Sequence, residues 1–188
     1  MPTCAGHRLS HALTLALLAA VALAPVACGP LPVATGLGND PCLLQQYQTR
    51  AFTAMKEMQA ATIALDNRAD PLGDRGPNAA ITGTVDVPES VANLSTFLSA
   101  ITAQWNLVRT GAHPPEGARF DAHLRDAVRA FDNGATMLAW AYVDEGNGDT
   151  HAADDVARAG RAWLRQGRVA LGLAAESLAA IPSFSTNC

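Results

Sequence analysis

From Cys42 onward, apolar residues return every three or four positions in four successive stretches. In the first, Cys42 to Asn67, the residues Leu44, Tyr47, Ala51, Met55, Met58, Thr62 and Leu65 are spaced 3, 4, 4, 3, 4 and 3. In the second, Pro88 to Thr110, Val91, Leu94, Leu98, Ile101, Trp105 and Val108 alternate 3 and 4 throughout. The third, Pro115 to Glu145, keeps the period through Phe120, Leu124, Val128, Phe131, Ala135, Leu138 and Tyr142. In the fourth, Thr150 to Ile181, Leu164, Leu171 and Leu178 lie seven apart, beside Ala153, Gly160, Gly167 and Ala174 with the same interval. A helix returns to one face every 3.6 residues, so each stretch predicts an amphipathic helix.

The ends carry their own signals. Asp86 can cap the second helix, with Pro88 in its first turn and Glu89 three residues after the cap. Gly111 and Gly146 are stops, Asp149 or Thr150 caps the fourth helix, and Pro182 ends it. Gly134 sits mid-helix, where glycine costs about 1 kcal/mol against alanine. The run of small residues in the fourth helix would let a neighbour approach closely. Short connections at 111–114 and 146–149 make helices two, three and four antiparallel to their successors. The predicted fold is all-α, an up-down-up-down four-helix bundle with a long connection, Ala69 to Val87, between helices one and two. Loops of that length are uncommon unless functional or disordered.

Upstream, Arg8 precedes an uncharged apolar run from Ala12 to Leu23, about twelve residues against the roughly 20 that span a bilayer. This reads as an export signal over residues 1–27. Residues 28–41 are rich in proline and glycine and read as a tether, leaving 42–188 as the domain. The signal ends in APVACGPLP. Val26, Ala27 and Cys28 resemble the end of the lipobox of bacterial lipoprotein precursors, with Pro25 where leucine is usual. The resemblance covers only the signal. It implies a lipid on Cys28, and residence at the extracytoplasmic face of a membrane, the outer one if the host has two. Cys28, Cys42 and Cys188 would remain after cleavage, an odd number. Lipidation of Cys28 leaves Cys42 and Cys188 to pair. Ordinary export, with Cys28 free or in another disulfide, is the alternative.

Charge changes the picture little. The chain has a net charge of −4, and loss of residues 1–27 leaves 12 basic against 17 acidic residues, or −5. That balance disfavours nucleic acid as a partner. No catalytic constellation is recognisable, and the sequence predicts neither metal nor cofactor. His113 and His151 fall at opposite ends of the predicted bundle, and Met55 and Met58 read as core filler. The acids 143–155 lack the order of a calcium loop. Asp121 with Arg125, and Asp154 with Arg158, read as exposed pairs one turn apart.

Two surface features stand out. Arg158, Arg161, Arg165 and Arg168 line one face of helix four, either a solvated face or a strip for an anionic envelope component. Trp140, flanked by Met137 and Val143, projects away from the apolar stripe of helix three. It is either covered by the 69–87 connection, through Ile81 or Val85, or open to a partner or ligand. The sequence thus predicts a membrane-tethered binding or structural module, with a carrier of a small apolar ligand, or an enzyme of unrecognised site, as alternatives.

Overall fold

The computed structural model describes residues 40–66 and 86–182. The signal 1–27, the tether up to residue 39, Cys28, Cys188, Ile81 and Val85 lie outside them. The described chain is all-helical: α1 (Pro41–Asp66), α2 (Val87–Arg109), a single 3-10 turn (Pro115–Gly117), α3 (Ala118–Gly146) and α4 (Thr150–Ala179).

The helix starts follow from caps. The Cys42 amide donates to the Asp40 carboxylate at 2.9 Å, with Pro41 already inside the helix. Glu89 N–H donates to Asp86 at 3.0 Å, and Ala152 N–H to Asp149 at 3.1 Å. Between α3 and α4 the chain turns in three residues, with Gly148 at φ 85°. That left-handed backbone favours glycine.

The apolar stripes meet in one core. Tyr47, Met58, Leu94, Ile101, Val108, Phe120, Leu124, Val128 and Phe131 are its largest fully buried side chains. Phe97 and Phe131 stand edge to face at 5.4 Å. Phe97, not Leu98, fills the second turn of the α2 stripe; Leu98 is only partly buried. Met55 and Met58 are both core residues.

The closest packing is between α3 and α4. A Cβ on Gly134 would stand 2.9 Å from the Gly160 carbonyl oxygen, and one on Gly167 2.6 Å from the Phe131 ring. The small residues of α4 and Gly134 of α3 therefore serve one contact, in which the helices run antiparallel. Helix α1 packs on α2 and more loosely on α4, and α2 packs on α3. Gln48 Nε2 donates to the carbonyls of Ile181 (3.2 Å) and Pro182 (3.1 Å), so α1 begins where α4 ends.

Candidate functional site

Tyr47 lies on the buried stripe of α1, and its phenol points at the start of α3. The hydroxyl donates to Asp121 Oδ1 at 2.7 Å and faces the Gly117 carbonyl at 3.1 Å. The other carboxylate oxygen of Asp121 is 2.8 Å from His113 Nδ1. His113 Nε2 is 3.0 Å from the carbonyl oxygen of Arg109, at the end of α2. The His113 and Asp121 side chains are only 9% and 4% exposed. Edge-to-face contacts of Tyr47 with Phe120 (6.1 Å) and His113 (6.2 Å) wall the cluster. A Cβ at Gly117 would collide with the Tyr47 ring, so glycine is what leaves room for the phenol.

Proton accounting defines what this cluster can do. The carbonyls of Arg109 and Gly117 only accept. Four contacts meet here, and the single hydrogen of the phenol serves two of them, Asp121 Oδ1 and the Gly117 carbonyl. Burial first, and then the adjacent Asp121, push the Tyr47 hydroxyl well above its ordinary pKa, while Arg50 acts the other way. The phenol therefore keeps its proton. The cluster is a tie among α1, the end of α2 and the start of α3, with its hydrogens directed at internal acceptors.

This tie corrects the expectation of an exposed Asp121–Arg125 pair. Asp121 is 3% exposed and turned inward. It lies three residues before Leu124 and seven before Val128, on the buried stripe itself, so a local arginine could not hold it at the surface. The Asp154–Arg158 expectation also changes: Arg158 bonds Asp155 at 3.0 Å instead, one residue nearer.

Two of the four arginines of the strip are ion-paired. Arg158 has Asp155, Arg168 is ion-paired to Asp66 at the end of α1, and Arg161 is engaged as well. Arg165 is exposed. Of the Trp140 group, Trp140 is 48% exposed and Met137 half-buried, but Val143 is 8% exposed and belongs to no open surface. Val143 stands about 60° around the helix from Trp140, which carries it to the covered side.

A feature the sequence did not suggest is an open groove of about 660 Å³ between α1 and α4. Phe52, Lys56 and Gln59 form one wall and Ala175, Leu178 and Ile181 the other, with Met55 among the lining residues. Phe52 is 67% exposed. The signal available was Phe52, an aromatic placed off the Leu44–Leu65 stripe. Cys42, in the first turn of α1, is disulfide-bonded, and every other cysteine of the chain lies outside the described residues.

Among the described residues, no group of three or more His, Cys, Asp or Glu could hold a metal ion. No described helix is long and apolar enough to cross a membrane. Compared with known proteins, the chain matches no protein family, no curated protein and no solved structure.

Proposed function

We propose that this protein is an exported, lipid-anchored helical module with a non-catalytic binding or structural role in a cell envelope. The observation that carries the reading is the use made of Tyr47, His113 and Asp121. These are the side chains best suited to proton chemistry, and their hydrogens go to holding three elements together. The proposed anchor is a lipid on Cys28, supported by the VAC sequence after an apolar run and by the tether that follows. The proposed disulfide joins Cys42 to Cys188. In its support, Pro182 lies beside Gln48, only six residues before Cys188, and Gln48 is six residues after Cys42.

The proposed arrangement is an up-down-up-down bundle. Its supports are the α3–α4 pairing, the meeting of α1's start with α4's end, and the Val87 side chain against Gly146, which brings the start of α2 to the end of α3. Anchored at the extracytoplasmic face, in the outer membrane if there are two, such a module would meet envelope proteins and not nucleic acid.

The test is metabolic labelling with palmitate in a lipoprotein-processing bacterial host. Label is expected on the protein and absent from Cys28→Ala, which should shift from membrane to soluble fractions. Label persisting in Cys28→Ala, or none on the parent, rejects the anchor.

The α1–α4 groove favours a second reading, a carrier of a small apolar ligand, because an exposed Phe52 faces Leu178 and Ile181 across it. Native mass spectrometry separates the two readings: a co-purified small molecule lost in Phe52→Asp supports the carrier, and a bare protein mass supports the module.

A further inference from the structure

Resting on the carrier reading of the α1–α4 groove, we propose that its ligand is a single-chain carboxylate, a fatty acid anion. The chain would lie along Phe52, Met55, Leu178 and Ile181, with the head at Lys56 and Gln59.

The two walls are in antiparallel register. Gln48 meets Ile181 and Pro182 through its amide. One turn further in, Phe52 comes level with Leu178, and Met55 and Lys56 with Ala175. The large apolar side chains therefore gather towards the Gln48 end, and Lys56 and Gln59 stand at the other. From Gln48 to Gln59 the groove runs for about 16 Å at 1.5 Å per residue. That is the shape of an extended acyl chain, not of a compact apolar molecule.

The hydrogen-bond donors of the apolar end are already engaged. Thr49 Oγ1 donates to the Gln45 carbonyl and Thr53 Oγ1 to the Thr49 carbonyl, both at 2.9 Å. Gln48 directs its amide hydrogens at Ile181 and Pro182. The lining still offers the Lys56 ammonium, with three donors, and the Gln59 amide. Lys56 is exposed and in no ion pair among the described residues.

Lys56 is also the one charge among the described lining residues. Glu57 stands about 100° round α1 from it, and Glu176 the same angle round α4 from Ala175. Asp66, two turns beyond Gln59, is ion-paired to Arg168. A lone cation at one end of an apolar track matches a single negative charge at the end of a single chain. A phosphate monoester, with about −1.5 to −2 at neutral pH, exceeds it, and an amine would meet a like charge. The aliphatic stem of Lys56 can lie on the apolar wall while its ammonium stays in water. The head is then held at the rim and the chain is what is buried.

The test is titration of the intact protein with decanoate, decanol and decylamine at neutral pH, below their micelle concentrations, followed by NMR. Amide shifts confined to residues 48–59 and 175–181 locate the ligand. Lys56 is the only lysine of the chain, so isotope-labelled lysine reports on it alone. Decanoate should bind about two- to fivefold tighter than decanol, the worth of one exposed ion pair, with decylamine weakest. The lysine signal should move with decanoate only. Lys56→Gln should remove the preference and leave decanol binding unchanged, and Phe52→Asp should abolish binding of both. Equal affinity for decanoate and decanol, or a preference that survives Lys56→Gln, overturns the carboxylate assignment and leaves the carrier reading standing. Binding of none of the three in the groove overturns both. So does a concentration-dependent dimer that Phe52→Asp dissociates, because a second copy of the chain would then fill the groove.

Discussion

Gly134 of α3 and Gly160 of α4 meet backbone to backbone, each placed so that a Cβ on one would stand about 3 Å from the carbonyl oxygen of the other (2.9 and 3.0 Å). The side chains of Leu164 and Leu138 also crowd these positions, and even if they shift, the two carbonyls belong to helix backbone and cannot. Gly160→Ala and Gly134→Ala should each gain up to about 1 kcal/mol of helix propensity and still lose stability, because overpacking a tight contact costs about 1–3 kcal/mol. Urea midpoints of the two variants check this, and a rise in either would show that the helices can part without cost.

Gly172 is the contrasting case on the same helix. It is exposed, and a Cβ there would meet nothing within 4 Å. Gly172→Ala should therefore stabilise the protein by about 0.5–1 kcal/mol through backbone entropy and propensity alone. A thermal melt should show a higher midpoint.

Removing the phenol oxygen from the tie should be costly. Tyr47→Phe keeps the ring against Phe120 and leaves Asp121 Oδ1 and the Gly117 carbonyl without their donor. The expected loss is about 1–3 kcal/mol, the cost of a buried polar group deprived of its partner. Urea unfolding of the variant beside the parent measures the loss.

Asp132 predicts a pH effect in the acidic range. Burial raises its carboxyl above the ordinary aspartate value of 3.8. A carboxyl raised in the folded state favours the fold when protonated, and this contribution is lost as pH climbs through the raised value. Asp132→Asn should thus be slightly more stable than the parent at neutral pH, with the difference vanishing below about pH 3.8. Urea unfolding at acid and neutral pH measures it.

The helices and their caps were legible because their causes are local. Asp86 with Pro88 and Glu89, and the seven-residue interval of Gly160 and Gly167, are written within one or two turns of chain. The Tyr47–Asp121 bond joins residues 74 apart, and neither end announces the other. Asp121 did carry a signal, an acid three residues before Leu124 on the buried stripe, but Arg125 offered a local partner that explained it away. The same locality misled the reading of Asp154, where a helix turn offers Arg158 two acids and rotamer geometry chose Asp155. The α1–α4 groove was invisible because it comes from how loosely two helices meet, which no single periodicity records.

The bond from Gln48 to Ile181 and Pro182 brings the first turns of α1 and the residues after α4 to one tip. The Gly148 turn precedes α4 and so lies one helix length away, roughly 45 Å at 1.5 Å per residue. A protein held by its first residues would carry that turn at the far tip, like a bollard standing on a quay. Were the proposed anchor on Cys28 to hold the chain, a small tag inserted after Gly148 would stand at the tip away from Gln48 and Pro182.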